Sequence, residues 1–188
     1  MGNRGVLHDE SRRVLVAWRT KRWITCVLEF RGRKREVFTP RRYSELFFLD
    51  EATSLAAGHR PCAECRRDRY NQFCAAWAKA HGTASRPRAD DMDNVIHADR
   101  WERGGGKRTY DARLASLPDG VFVEHDGRPD LVHGGRLLPW SFGGYGLPRG
   151  VTPSTAVRVL TPESLVLTVR AGFAPELHPS ASARGRGL

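Results

Sequence analysis

The turn at residues 58–65 constrains the fold of this chain most. It reads Gly-His-Arg-Pro-Cys-Ala-Glu-Cys, and it separates two segments with helical character. Asp50 is a good N-cap, and the glycine stands where the helix begun by Asp50 needs a left-handed residue. Pro61 cannot continue that helix, because its ring blocks the preceding turn. Cys62 and Cys65 are therefore expected on a tight turn that opens a second helix.

The spacing of this cysteine pair predicts a metal site. Thiolates at Cys62 and Cys65 can both reach one tetrahedral zinc ion, and a helix N-terminus favours their negative charge. A zinc site needs four ligands, so a neighbour in space such as His97, His8 or Cys26 would have to contribute. The alternative is that the fold persists without a metal.

The second helix is predicted over residues 66–81, where Tyr70, Phe73 and Trp77 keep the spacing of a buried stripe. Cys74 lies on this helix, half a turn round from Cys65 and about 13 Å further along the axis. Both cannot bind one ion on an unbroken helix, so Cys74 is expected to be structural.

Residues 43–68 resemble a known domain. The aromatic strand predicted at 45–49, the acid-rich short helix and the Ala-Gly-His-Arg-Pro-Cys-x-x-Cys run are similar to the second half of the Ada-type zinc domain, which repairs methylphosphotriesters in DNA. The resemblance implies a local fold, a zinc site and a DNA context. That family also has an earlier cysteine pair, one member of which accepts the methyl group. Here no Cys or His lies between Cys26 and His59.

Two of these residues have structural interpretations as well. Cys26 shares an apolar face with Ile24 and Leu28 in a predicted strand, and free cysteine packs as a small hydrophobe. His59 occupies a position that is aromatic in the Ada-type pattern. A packed histidine is therefore expected there in preference to a ligand in a His-x-x-Cys-x-x-Cys loop.

Charge indicates the partner. The chain of 188 residues has a net charge of +10, and residues 1–49 hold 12 Lys and Arg against 5 Asp and Glu. An excess of this kind favours a polyanion, DNA above all and RNA as an alternative. A solvated basic surface would give the same composition.

The basic residues of the first third are expected to contact phosphates. Strands predicted at 13–18, 23–30 and 35–38 would form a β-meander whose turns carry many of them. A second basic group lies around the cysteine turn. The candidate nucleic-acid contacts are Lys21, Arg22, Arg33, Lys34, Arg41, Arg42, Arg60, Arg66, Arg67 and Arg69.

The middle segment, residues 82–116, suggests an enzymatic alternative. A short acidic helix is predicted near 90–102, followed by a flexible Gly-Gly-Gly-Lys loop. Carboxylates and a histidine on one helix face could hold Mg²⁺ for phosphodiester cleavage, although acidic helix starts also serve as caps. The candidate catalytic residues are Asp91, Asp93, His97 and Lys107.

Short strands with glycine turns follow over residues 117–178, which predicts a small barrel-like region. Trp140, Phe142 and Tyr145 flank a glycine-rich loop there. They could form a pocket for an unstacked base or close the end of the barrel. Residues 179–188 are expected to be a disordered tail.

These observations predict an α+β protein in four segments. Residues 1–81 hold the meander, the cysteine turn and the second helix, and residues 82–116 hold the acidic helix and the glycine loop. Residues 117–178 form the barrel-like region, and residues 179–188 form the tail. No apolar run approaches a membrane span, and cysteine usage is typical of a reducing cytoplasm. The predicted function is DNA binding, with modified or damaged DNA as one target. The alternatives are a metal-dependent nuclease or base-processing enzyme, and an RNA-binding or scaffold module with structural zinc.

Overall fold

The computed structural model describes residues 1–32 and 36–182. The helices are α1 Glu51–Ala56, α2 Arg67–His81, α3 Ala89–Arg100 and α4 Glu163–Arg170, with 3₁₀ turns at Leu114–Ser116 and Pro179–Ala181. The strands are β1 Gly2–Asn3, β2 Ile24–Thr25, β3 Arg60–Pro61, β4 Tyr110–Arg113, β5 Phe122–His125, β6 Arg128–His133, β7 Arg136–Ser141, β8 Gly144–Tyr145 and β9 Ala156–Val159. The predicted α+β class is confirmed.

The signals around α1 act as predicted. The Asp50 carboxylate accepts a hydrogen bond from the Thr53 N–H at 2.8 Å and caps the helix. Gly58 has φ of +81°, and a Cβ there would lie 2.5 Å from Cδ of Arg100. The glycine is therefore needed both for the turn and for the close approach of that arginine.

The long helices also follow the sequence pattern. Tyr70, Phe73 and Trp77 are buried on α2, and Met92 and Ile96 are buried on α3. One hydrophobic core joins residues from all three predicted segments of the chain. Its members include Leu55, Phe73, Trp77, Ile96, Val123, Leu137, Val159, Leu165 and Phe173.

The predicted β-meander is wrong. Of its three strands, only Ile24–Thr25 is a strand in the described residues; Val14 and Leu15 are exposed, and residues 33–35 lie outside the described part. The reason is that β2 pairs antiparallel with β1 and parallel with the distant β3, rather than with neighbours along the sequence. Long-range pairing has overridden the local alternation.

The aromatic strand predicted at 45–49 is also absent. Leu46 makes a single bridge to Gly2, with its N–H donating to the Gly2 carbonyl at 3.0 Å, and Phe47 is exposed. The segment is an extended connection that leads into the Asp50 cap.

The C-terminal strands are present, but they do not form a barrel. The six-stranded sheet has the order β4-β9-β5-β6-β7-β8, so β4 and β8 are separate edges and the sheet is open. The three-stranded sheet has the order β1-β2-β3.

The end of the described chain belongs to the fold. Pro179–Ala181 form a 3₁₀ turn, Ala181 is buried, and the Tyr145 N–H donates to Oγ of Ser180 at 2.9 Å. The predicted tail is therefore ordered at its start, and its residues 183–188 lie outside the described part. Within the described ranges, no helix has the length and apolar character needed to cross a membrane.

His59 is completely buried in an aromatic cluster. Its ring lies 5.3 Å from that of Trp23 and 4.7 Å from that of Phe48, and its Nε2 accepts a hydrogen bond from Nε of Arg4 at 3.2 Å. Burial, and then the charges of Arg4 and Arg100, hold the pKa of His59 well below its usual value. The folded protein therefore keeps this imidazole neutral.

This burial predicts a specific acid sensitivity. Below pH 6.5 the unfolded chain binds a proton at His59 that the folded chain does not, so the free energy of unfolding falls as pH decreases. The expected loss is roughly 1.4 kcal/mol per pH unit below about 6.5. The measurement is the free energy of unfolding in urea at pH 7.5 and at pH 5.5. His59→Phe should lose less of this free energy between the two pH values than the wild type does, even if the variant is less stable at pH 7.5. His133→Phe, outside the cluster, is the control; equal slopes for wild type and His59→Phe would contradict the prediction.

Candidate metal centre and its surroundings

Parallel pairing of β2 with β3 brings two distant cysteines together. The register aligns Ile24 with Arg60 and Thr25 with Pro61, and the Cys62 N–H donates to the Thr25 carbonyl at 2.9 Å. The next residues along the two strands are Cys26 and Cys62. The pairing therefore places Cys26 beside the cysteine turn.

Cys65 completes a cluster of three thiols. The Sγ atoms of Cys26, Cys62 and Cys65 all lie within 4.8 Å of one another. Cys62 is buried and the other two are half-buried. Cys26 is thus a cluster member rather than a core residue of an amphipathic strand, and the structural interpretation of it is wrong.

The cluster stabilises a thiolate. The pKa of Cys62 is lowered to about 5, chiefly by a hydrogen bond from the Cys26 thiol, with the Cys65 and Glu64 N–H groups also contributing against the effect of burial. The Glu64 N–H lies 3.4 Å from Sγ of Cys62. The pKa of Cys26 is raised by the same hydrogen bond and by burial. The hydrogen bond between the two thiols therefore favours the thiolate on Cys62 over that on Cys26.

The donor set fits zinc. Three sulphur ligands within 4.8 Å of one another suit a soft, tetrahedral ion. The described residues supply these three ligands, and residues 33–35 and 183–188 contain no Cys, His, Asp or Glu. Three protein ligands leave a fourth position for a small exogenous ligand, an arrangement found in reactive rather than closed zinc sites.

A cavity of about 460 Å³ adjoins the cluster. All three cysteines line it, together with apolar residues such as Leu28 and Phe47. The carboxylates of Glu29, Glu45 and Glu64 line this cavity as well. Cys62 also lines a groove of about 380 Å³, whose charged residues are Arg22, Arg60, Arg88, Glu64 and Asp90. Cys62 therefore lies at both a cavity of mixed character and a groove with more arginines than acids.

Other predicted partners of the metal lie elsewhere. His8 hydrogen-bonds Oγ of Ser44, His97 packs against Trp18 at 4.5 Å, and His59 is the packed histidine described above. Cys74 is buried in the main core, as predicted.

The acidic helix does not assemble a magnesium site. The Asp93 carboxylate accepts bidentate hydrogen bonds from Arg60 at 2.9 and 2.7 Å, and their side chains are only 4% and 2% exposed. Asp91 is exposed, and the ammonium of Lys107 donates to the Ala56 carbonyl at 2.6 Å. Among the described residues Asp91, Asp93 and His97 are not gathered into a group that could hold a metal ion.

Several predicted nucleic-acid contacts are occupied inside the fold. Arg60 is buried against Asp93, and Arg66 and Arg69 both pair with Glu51, whose side chain is 1% exposed. These guanidinium groups organise the cysteine turn and are not available to phosphates. Residues Arg33 and Lys34 lie outside the described part.

The remaining predicted contacts are on the surface. Arg22 pairs with Asp90 and Arg41 with Glu10, but all four side chains are more than half exposed. Exposed pairs of this kind are worth little, so a phosphate can displace the carboxylate. Lys21, Arg42 and Arg67 are exposed as well.

The predicted base pocket divides into three different environments. The Tyr145 hydroxyl donates to the Asp50 carboxylate at 2.6 Å and is buried, whereas Phe142 is 92% exposed. Trp140 touches Phe142 edge-on at 4.9 Å and lines a separate cavity with Arg4 and Arg100. These three aromatics do not enclose one pocket.

Sequence reasoning missed Arg4, Arg100 and Arg88 as residues near cavities. Arg4 and Arg100 gave no local signal, because both are brought to Trp23 by tertiary contacts. Arg88 stands immediately before α3, which is a position where a basic residue could have been noticed.

Comparison with protein-family models, with curated proteins and with solved structures finds no match for this chain. The assignment of function therefore depends on the geometry described above.

The cluster predicts a metal-binding stoichiometry and a ligand set. The wild-type protein should bind one equivalent of zinc, and Co²⁺ in its place should give thiolate-to-cobalt charge-transfer absorption. Cys26→Ser should weaken zinc binding by more than about a hundredfold, because even groups behind the ligands change metal affinity 10- to 100-fold. Cys74→Ala, in the core, is the matched control. Equal zinc affinity in the two variants would exclude Cys26 as a ligand.

Proposed function

We propose that this protein binds DNA, with modified or damaged DNA as its target, through the face that carries Cys26, Cys62 and Cys65. Zinc at these thiols would hold that face together. The observation that carries the proposal is the convergence of three cysteines beside a cavity with exposed apolar side chains and a groove that contains three arginines and two acids. It agrees with the Ada-type resemblance of residues 43–68, which implies zinc and DNA.

Cations surround the cluster on more than one side. Arg22 and Arg88 line the groove beside Cys62, and both are exposed. Arg67 is exposed on the first turn of α2, two residues after Cys65. With a net charge of +10 on the chain, these guanidinium groups support phosphate contact around the thiols.

The apolar side chains of the cavity support recognition of something other than a phosphate. Leu28 and Phe47, 73% and 60% exposed, line it together with the thiols and with the carboxylates of Glu29, Glu45 and Glu64. An alkyl group on a DNA phosphate or base would lose water against Leu28 and Phe47, which favours the modified form over the unmodified one.

The phosphate contacts predict a salt-dependent affinity. Fluorescence anisotropy with a labelled duplex should show log K falling linearly with log salt, with a slope of about −0.9 per phosphate contacted. The triple variant Arg22→Ala/Arg67→Ala/Arg88→Ala should make the slope shallower by roughly 2 to 3.

The matched control removes the same charge elsewhere. Arg128 and Arg136 are exposed on hairpin strands of the six-stranded sheet, and Arg113 is exposed on β4. Their triple alanine variant should keep most of the slope. An affinity indifferent to salt would overturn DNA binding, and equal losses in the two variants would overturn the proposed face.

A second candidate function is alkyl transfer to a cysteine. Cys26 favours it, because it precedes the Cys62–Cys65 pair as the acceptor does in the Ada-type pattern, is half-buried and lines the cavity. The Cys26 thiolate would attack the methyl carbon of a methylphosphotriester. A sulphur–carbon bond forms, the carbon–oxygen bond breaks, and the electron pair remains on the phosphodiester oxygen. Without a metal the cluster favours the thiolate on Cys62, so this step would need bound zinc to lower the pKa of the Cys26 thiol as well.

Peptide mass spectrometry tests this transfer. After incubation of zinc-loaded protein with DNA carrying methylphosphotriesters, the peptide containing Cys26 should gain one methyl group. Cys26→Ser should gain none, and Cys74→Ala should react like the wild type. Methyl groups on Cys74, or on no cysteine, would exclude the proposed chemistry while leaving DNA binding to its own test.

A further inference from the structure

A second cavity, of about 330 Å³, lies away from the three cysteines. Three cations line it, namely Arg4, Arg100 and Lys107, and aromatic residues including Trp101 and Trp140 form other parts of its wall. None of the described residues that line it is acidic. We refer to it as the arginine–tryptophan cavity.

The cations gather at the C-terminal end of α1. Nη1 of Arg100 donates to the Gly58 carbonyl and Nζ of Lys107 to the Ala56 carbonyl, both at 2.6 Å, and Nη2 of Arg4 lies 3.4 Å from the Ala57 carbonyl. A helix C-terminus carries only about half a negative charge, so it cannot neutralise three full positive charges.

Within residues 1–32 and 36–182, no carboxylate lines the cavity to neutralise these three cations. The acid whose charge acts on Arg100 is Asp93, and it is already engaged by Arg60 in the bidentate pair. Burial, and then the charges of Arg4 and Arg100, lower the pKa of Lys107 to about 8. The Lys107 residue as a whole is exposed, but its ammonium reaches inward to α1. The cavity therefore has an excess of positive charge that the described residues leave uncompensated.

Two donors at the cavity have unused hydrogens. Arg100 is 2% exposed and its Nε has no hydrogen-bond partner among the described residues, and the same holds for the buried Nε1 of Trp140. Buried donors are normally paired, and both residues line the cavity, so a ligand there could supply the missing acceptors.

The aromatic wall offers a stacking surface separate from the cations. Trp23 is occupied, since the guanidinium carbons of Arg4 and Arg100 lie over its ring at 3.8 and 3.7 Å from the centroid. Trp101 and Trp140 are half-buried and line the cavity. Trp23 thus fixes the two arginines. Trp101 makes edge contacts with Trp18 and Trp23, and Trp140 with Phe142, so neither ring is stacked face to face on these neighbours.

A glycine loop sets the position of Lys107. Trp101 and Lys107 form an antiparallel bridge across residues 104–106, where Gly105 and Gly106 have φ of +90° and +107°. This turn requires glycine, and it places one cation and one tryptophan on the same wall.

We propose that the arginine–tryptophan cavity binds a nucleotide unit, with its phosphate against Arg4, Arg100 and Lys107 and its base against Trp140 and Trp101. The source is either a free mononucleotide or an unstacked nucleotide of a single strand, which present the same chemistry. Uncompensated cations select the phosphate, and indole rings select the planar base. The site shares no residue with the cysteine cluster and does not depend on the function proposed for that cluster.

Binding of defined probes tests the site. Calorimetry and tryptophan fluorescence would compare deoxyadenosine 5′-monophosphate, deoxyadenosine, inorganic phosphate and a short oligo-deoxyadenylate with the full-length protein. The mononucleotide or the oligonucleotide should bind more tightly than either the nucleoside or phosphate. Mononucleotide binding identifies a free ligand, whereas binding of the oligonucleotide alone identifies a strand.

Variants connect the binding to this cavity. Lys107→Met should weaken binding of the probe about tenfold, as expected for loss of a hydrogen bond to a charged group. Trp140→Leu should weaken it by about tenfold or more through lost stacking. Lys79→Met on α2 and Phe47→Leu are the matched controls, because Lys79 and Phe47 are both exposed and neither lines the arginine–tryptophan cavity.

The outcomes separate this site from the DNA-binding face. Failure of both nucleotide probes to bind overturns the proposal, as does equal weakening by the control variants. Phosphate binding as tight as nucleotide binding overturns the base contact. Loss of duplex binding in Arg22→Ala/Arg67→Ala/Arg88→Ala with intact nucleotide binding would show that the two sites act independently and supports the proposal.

Discussion

The short parallel pairing of β2 with β3 is the contact on which the cysteine cluster depends. It joins residues 24–25 to residues 60–61 through backbone hydrogen bonds, and those bonds align Cys26 with Cys62. Two residues of strand pairing contribute little stability alone. The pairing is supported from both sides, by β1 in the sheet and by the burial of Trp23 and His59 immediately around it. The position of the thiols is therefore a property of the whole N-terminal half.

Buried ion pairs give the cysteine turn its shape. Arg60 is fixed by Asp93 of α3, and Glu51 at the start of α1 holds Arg66 and Arg69. Breaking such a pair by removing one partner is costly, because the other charge is left buried. The same arginines cannot also serve as phosphate contacts. Surface cations such as Arg22 and Arg88 are instead those that can meet a polyanion.

At the C-terminal end of α1, cations donate hydrogen bonds to backbone carbonyls instead of pairing with carboxylates. The helix presents its last carbonyls to Arg4, Arg100 and Lys107, and these cations reach them from three distant parts of the sequence. The arginine–tryptophan cavity thus lies at the C-terminus of α1. The chain that leaves this helix then turns and reaches Cys62 of the thiol cluster. His59 accepts a hydrogen bond from Arg4 and lies three residues before Cys62 in the sequence.

The sequence by itself determined the helices, the cap at Asp50, the left-handed Gly58, the α+β class and two of the three thiols, because these features depend on residues close together in the chain. It misassigned the meander, the barrel and the magnesium site, since alternating apolar residues and acidic helix starts are compatible with several tertiary arrangements. Only the tertiary structure decided that Cys26 joins the cluster, that Asp93 neutralises Arg60 and that three cations converge on α1. Each of these contacts spans more than 30 residues, and local preference carries no information about partners so far away.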